Sequence, residues 1–180
     1  MTVTNAQHAH QTVDVRSRIV AFLPRLRRFC HALASTPDQG DDLLQETVER
    51  ALARVEQWQP GTSLESWMFR IARNIQIDKF RAQTVRGISV DIDDVHEMAG
   101  DDVLASLEAR SDLAAARAAM AAMPQEQREL LALVVLDGQS YKEAAETLEI
   151  PIGTVMSRLA RARRFVDAHV NRQPQEAWSA

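Results

Sequence analysis

One cysteine, one tyrosine and six glycines are spread through 180 residues, and each scarcity excludes something. The lone thiol, Cys30, cannot close an internal disulfide. With no second cysteine or suitably spaced histidine beside it, Cys30 and His31 make no metal site, and a buried thiol beside a surface imidazole is expected. Few glycines and no run of alternating β-branched residues leave little from which to build a sheet, so the composition favours an all-α protein. No apolar stretch approaches the roughly 20 residues that span a bilayer. The start, MTVTNAQHAHQTVDV, lacks the basic opening and apolar stretch of a signal peptide, so a disordered tail over residues 1–12 of a cytoplasmic chain is expected. There is no nucleotide-binding glycine motif, metal cluster or nucleophile with a base, so no catalytic residue, metal or cofactor is expected and the chain does not read as an enzyme.

Net charge is −4, an unpromising figure for a nucleic-acid binder until the charge is located. Residues 1–85 carry 11 basic and 9 acidic side chains, residues 86–110 carry 2 and 7, and residues 151–172 carry 5 and 1. The acidity is therefore concentrated in the middle, and the stretch after Pro151 has a basic footprint. Opposed charges on one chain predict that the free protein binds DNA poorly, with the acidic segment approaching the basic one.

In that basic stretch, QSYKEAAETLEIPIGTVMSRLARARRFV (139–166) reads as two short helices joined by a tight turn. Ser140 and Glu143 offer a capping box, and Pro151 breaks the run. At about 100° per residue, Val155, Leu159, Ala162 and Val166 share one arc. Gly153, Thr154, Ser157, Ala160, Arg161 and Arg164 share the opposite one. Small and cationic residues on an outer face suit entry into the major groove, where arginine reads guanine. On pattern alone, an amphipathic hairpin with a solvated basic face stays open beside this helix-turn-helix reading.

Upstream, residues 13–35 keep helical spacing through Ile19, Val20, Phe22, Leu23, Leu26, Phe29, Cys30 and Leu33, with Pro24 as a possible kink. Thr36 to Gly40 reads as a turn. The helix after it has an inner stripe of Leu43, Leu44, Thr47, Val48, Ala51, Leu52 and Val55, and its acidic face is either solvated or a docking surface. Thr62 with Glu65 offers a cap for SLESWMFRIARNIQIDKFRAQ, a basic helix whose aromatics Trp67 and Phe69 suit unstacked bases, although Trp67 suits a core equally well. Residues 86–103 lack a sustained period and read as a flexible acidic linker. Helices resume near residue 104, break at Met123-Pro124 and stop again at Asp137-Gly138.

Three segments taken together, DDLLQETVERAL, SLESWMFRIARNIQIDKFR and MPQEQRELLALVVLDGQSYKEAAETLEIPIGTVMSRLARAR, resemble the extracytoplasmic-function group of bacterial sigma-70 family factors, over about Val15 to Ala168. The resemblance implies two small helical domains joined by the flexible acidic linker: sigma domain 2 at 13–85, and sigma domain 4 with its helix-turn-helix at 104–172, followed by a tail at 173–180. It implies an alternative sigma factor for stress or envelope responses, with core RNA polymerase, promoter DNA and an anti-sigma factor as partners. Asp41, Asp42, Gln45 and Glu46 fall where such factors dock on the coiled-coil of the largest polymerase subunit. Trp67, Arg70, Arg73, Asn74 and Lys79 fall on the helix that meets and opens the minus-ten element. Thr154, Ser157, Arg158, Arg161, Arg163 and Arg164 fall on the face that reads and grips the minus-thirty-five element. Met156 and Ala160 depart from relatives with cationic or bulkier residues there, so promoter preference does not transfer. The alternatives are a sigma-like decoy that binds an anti-sigma factor without DNA, and a plain helix-turn-helix repressor, which leaves the amino-terminal half unexplained.

Overall fold

The computed structural model describes residues 3–85 and 118–170, with side chains from 15 to 82 and from 118 to 168. Every regular element among the described residues is a helix, as the composition favoured. The expected acidic linker, the helix start near residue 104 and the tail at 173–180 lie outside the described residues.

Helix α1 (Val3–Leu33) begins ten residues ahead of the expected start at Val13. No proline or glycine interrupts residues 3–12, so nothing in that stretch ends a helix propagating from residue 13 towards the amino terminus. Val15, Ile19, Phe22, Leu26, Phe29, Cys30 and Leu33 are buried at spacings of one, three and four residues. Val20, expected among them, is 65% exposed, because the residue after Ile19 is turned about 100° away from the stripe. Pro24 lies within α1 without ending it, on the exposed side, where water can satisfy the carbonyl left unpaired.

The stretch expected as a turn before α2 (Pro37–Ala53) is that helix's own beginning. The Thr36 hydroxyl accepts from the Gln39 N–H at 3.3 Å, and Pro37 takes the first helical position. Gly40 is needed for close approach, since a Cβ there would stand 2.9 Å from Cγ of His31 on α1. Leu43, Thr47 and Ala51 form the buried stripe, while Leu52 is exposed. A 3-10 turn (Val55–Gln57) leads to buried Trp58.

Helix α3 (Leu64–Val85) is capped one residue later than expected. Thr62 uses its hydroxyl to donate to the Gln59 carbonyl, so Ser63 Oγ accepts the Ser66 N–H at 3.0 Å. Leu64, Met68, Phe69, Ala72 and Ile75 are buried. Phe69 is a core residue, edge-on to Phe22 with centroids 5.0 Å apart and tilted against Phe29 at 4.7 Å. Of the two aromatics expected to meet bases, only Trp67 is partly accessible.

The second unit holds α4 (118–122), α5 (Gln125–Leu131), a π-helical segment (Ala132–Leu136), α6 (Tyr141–Leu148) and α7 (Ile152–Val170). The π segment replaces the expected end of a single helix, with the Asp137 N–H reaching back five residues to the Ala132 carbonyl at 3.0 Å. It ends at Gly138, whose φ of +77° favours glycine. The two units pack together, α1 on α5 and the π segment, α3 on α6, and one cluster of buried apolar residues runs through both.

Candidate nucleic-acid interface

The helix-turn-helix of α6 and α7 is built from local chemistry, beginning at the start of α6. Ser140 Oγ accepts the Glu143 N–H at 3.2 Å, and the Glu143 carboxylate accepts the Ser140 N–H at 2.7 Å, the reciprocal pair expected from sequence. Those bonds hold the Glu143 carboxyl below the usual range. Glu149 ends α6 in the left-handed region at φ 56°, which aims the chain into α7, and the Pro151 carbonyl accepts the N–H groups of Thr154 and Val155 in the first turn of that helix.

On α7 the buried residues are Val155, Leu159 and Ala162, with Val166 half-buried. Gly153, Ser157, Ala160, Arg161 and Arg164 are exposed on the other side, and Thr154 is half-buried at its edge. Arg158 turns inward to Glu126 on α5 at 2.7 Å, and Arg163 donates to the Tyr141 hydroxyl on α6 at 2.9 Å. These two guanidinium groups brace α7 against its neighbours, whereas Arg161 and Arg164 line an open cleft of about 310 Å³ with Gln127 and Phe165.

Helix α3 is in a different condition. Arg70 is paired with Glu149, and Arg73 Nε donates to Glu129 Oε2 at 2.8 Å. Lys79 lies 2.9 Å from Glu46 on α2. Asn74 is exposed and Trp67 half-buried. Glu129 is only 1% exposed, and burial pushes its carboxyl up despite Arg73 and Gln125.

On α2, Asp41 and Asp42 are exposed. The Asp41 carboxylate accepts from His31 Nε2 at 2.8 Å and from Arg27 Nε at 3.2 Å, and both bonds hold it below its ordinary value. Gln45 donates to Glu49 one turn on at 2.9 Å. Burial pushes the Glu46 carboxyl up, but Lys79 and Arg50 outweigh it and the net direction is down. Glu46 thereby joins the acidic face of α2 to the basic face of α3.

Sequence reasoning missed the residues that join the two units. Arg25 grips Asp137 through two bonds of 2.8 and 2.9 Å, a fork that holds the guanidinium above its ordinary pKa. Arg128 donates to carbonyls at the ends of two helices, Leu33 at 3.1 Å and Ala121 and Met123 at 2.6 and 2.9 Å. Thr147 donates its one hydroxyl proton to Gln139 at 3.1 Å, so Ser66, 2.8 Å away on α3, donates to Thr147. Partners that lie 81 to 112 residues apart leave no periodic signal.

A helix-turn-helix with an open arginine face, packed on a helical unit that carries its own basic helix, defines a two-part DNA-binding protein. A family model described as "Sigma-70, region 4" matches residues 113–166, and one described as "Sigma2 domain of PhyR" matches residues 19–73. The chain is 36% identical over 157 residues to the ECF RNA polymerase sigma factor EcfG of Rhodopseudomonas palustris (strain TIE-1), covering 87% of this chain and 85% of that one. It is 34% identical over 137 residues to the ECF RNA polymerase sigma factor SigC of Mycobacterium tuberculosis (strain CDC 1551 / Oshkosh), covering 73% and 70%. The solved structure of the sigma factor RpoE in complex with the anti-sigma factor NepR from Bartonella quintana superimposes with a TM-score of 0.72 at 28% identity, over 89% of this chain and 99% of that one. The chain belongs to the extracytoplasmic-function group of the sigma-70 family. It is an alternative sigma factor, a transcription regulator that directs RNA polymerase to promoters.

Proposed function

We propose that α7 enters the major groove of the minus-thirty-five element, with Arg161 and Arg164 as its principal cationic contacts and Ser157 and Thr154 as its close-approach residues. The observation that carries this reading is the exposure of Arg161 and Arg164 beside Ser157 and Ala160, while Val155, Leu159 and Ala162 anchor the other side. Small residues let the helix backbone approach the groove, and an arginine paired to guanine contributes about 1–3 kcal/mol of discrimination. Arg158 and Arg163 orient α7 through Glu126 and Tyr141, and their remaining N–H groups are left to grip phosphate.

Helix α3 then meets the minus-ten element, with Arg70, Arg73 and Lys79 on its backbone and Trp67 and Asn74 towards unpaired bases. Stacking on an aromatic and polar reach are what strand separation needs. Asp41, Asp42, Gln45 and Glu46 form the acidic face that docks on the basic coiled-coil of the largest polymerase subunit. In this reading domain 2 spans 13–85 and domain 4 spans 104–172, and the protein works in the cytoplasm, where its DNA is. An anti-sigma factor as a further partner is supported by the complex in which the RpoE relative was solved. A decoy that binds such a factor without DNA has no use for the outward Arg161 and Arg164.

Transcription with purified core polymerase on fragments of the host genome tests the reading and reports the promoters together. Specific start sites that depend on the added chain are expected. Their absence, with core polymerase bound, removes the promoter-recognition reading.

A further inference from the structure

Seven large apolar side chains are exposed among the described residues, and two of them, Ile152 at 51% and Met156 at 55%, stand one turn apart at the start of α7. Ile152 is the first residue of that helix, whereas Met156 lies at the edge of the outward arc that holds Ser157, Arg161 and Arg164. At about 100° per residue, the two positions one turn away on its outward side are Gly153 and Ala160. Both are small and exposed. Outside the helix's own backbone and the adjoining residues, no described atom lies within 4 Å of where a Cβ on Gly153 would stand. The Met156 thioether therefore projects beside the small-residue track along which the helix backbone approaches DNA. We infer that Met156 reads the C5-methyl group of a thymine in the minus-thirty-five element, and so sets an A·T pair at that position of the promoter. This rests on the major-groove role proposed for α7.

The chemistry of the side chain selects the base. In the major groove only thymine presents a methyl group, and apolar side chains pack on it. Methionine is unbranched and polarisable, so it reaches such a group across an irregular gap. It has no N–H or O–H to donate, and over guanine it would strip water from O6 and N7 without replacing a bond. A lysine has the opposite preference, since its ammonium donates to guanine and gains nothing from a methyl group. Placement on the helix points the same way. Arg161 and Arg164 bring cationic charge to the adjoining face, so the surface that reaches Met156 is a polyanion that carries apolar points. Met156 is the fifth residue of α7, within the amino-terminal part of a recognition helix that meets base edges.

The test uses holoenzyme on a promoter found by the transcription assay above, with deoxyuridine replacing each thymine of the minus-thirty-five element in turn, on either strand. That exchange removes one methyl group and leaves the base-pair hydrogen bonds in place. At one position it is expected to weaken binding about fourfold. Met156→Ala should weaken binding to the unaltered promoter by a similar factor, and should no longer distinguish thymine from deoxyuridine there. An element without an A·T pair, no methyl effect at any position, or a methyl effect equally large in wild type and Met156→Ala overturns the assignment.

A second variant, Met156→Lys, keeps the length of the side chain and changes its chemistry. In a holoenzyme binding selection it is expected to replace the A·T preference at that position by G·C and to leave the rest of the element as it was. A retained A·T preference overturns the assignment. Met156 is exposed, so both variants are expected to keep the helical spectrum and melting temperature of the wild-type chain. If Met156→Ala instead weakens the binding of core polymerase without DNA, polymerase covers the side chain and the methyl contact is overturned. The two readings fail differently. If Arg161→Ala with Arg164→Ala leaves the element preference intact, the role of α7 falls and that of Met156 with it. If those changes relax the preference but deoxyuridine serves as well as thymine throughout, only the methyl contact falls.

Discussion

Helices α3 and α7 are both basic, both seated by an apolar stripe, and both expected to touch DNA, yet they present their arginines in opposite ways. On α7, Arg161 and Arg164 face an open cleft. On α3, Arg70 and Arg73 are neutralised by carboxylates of the other unit. The difference lies in what each helix packs against. The cleft at Arg161 and Arg164 is bounded by Gln127 of α5 but stays open, whereas α6 lies on α3 and α5 brings Glu129 to Arg73. A cationic residue on a helix is thus a candidate contact, and its availability is decided by the neighbours.

The largest effect should separate the two aromatics near the start of α3. Phe69→Ala removes a fully buried ring packed on Phe22 and Phe29, and should cost roughly 3–5 kcal/mol in chemical denaturation. Trp67→Ala should cost much less, yet abolish permanganate-reactive thymines at the start site with polymerase binding retained. Equal stability losses at the two positions would erase the distinction between core and surface on this helix.

A smaller effect divides the two sets of arginines. Arg73→Ala leaves Glu129 buried with one partner fewer, and should destabilise the folded chain by about 3 kcal/mol. Arg161→Ala should leave the melting temperature unchanged and remove about 1–3 kcal/mol of discrimination in a holoenzyme binding selection. A preference unaffected by Arg161→Ala would take that residue out of the readout.

The smallest effect concerns pH and the α1–α2 contact. Asp41 is held below its ordinary value by His31 and Arg27, so its contribution is present above the unfolded carboxylate value and lost as pH falls through the lowered folded value. Glu46 acts in the same direction, because Lys79 and Arg50 outweigh its burial. Glu129 has the opposite sign. Its raised value makes the folded chain take up a proton more readily than the unfolded one, so acid does not destabilise the fold at that residue. Asp41→Asn should flatten the acid limb of the stability profile, and an unaltered limb would show that the exposed Asp41 pair contributes nothing.

Much of α7 was legible because its information is local. Val155, Leu159 and Ala162 repeat at helical spacing, and the Ser140 to Glu143 box needs only three residues of separation. The same kind of reading went astray where a second helix decides. In the sequence Phe69 falls with Trp67 among base-facing aromatics, and only the approach of α1 buries it. Leu52 and Val20 fit an apolar stripe on paper but lie outside the packed arc. Proline and glycine make Thr36 to Gly40 read as a turn, whereas Pro37 opens α2 and Gly40 makes room for His31.

The sequence by itself determined the helical class, the cap of α6, the basic face of α7 and the family, because each depends on residues a few positions apart or on a linear pattern. Tertiary structure alone decided that Arg70 meets Glu149, that Arg73 meets Glu129 and that Arg25 meets Asp137. Those partners are 56 to 112 residues apart, and no helical period relates them. Their pairing depends on how two independently patterned units stack, and on the water lost when they do.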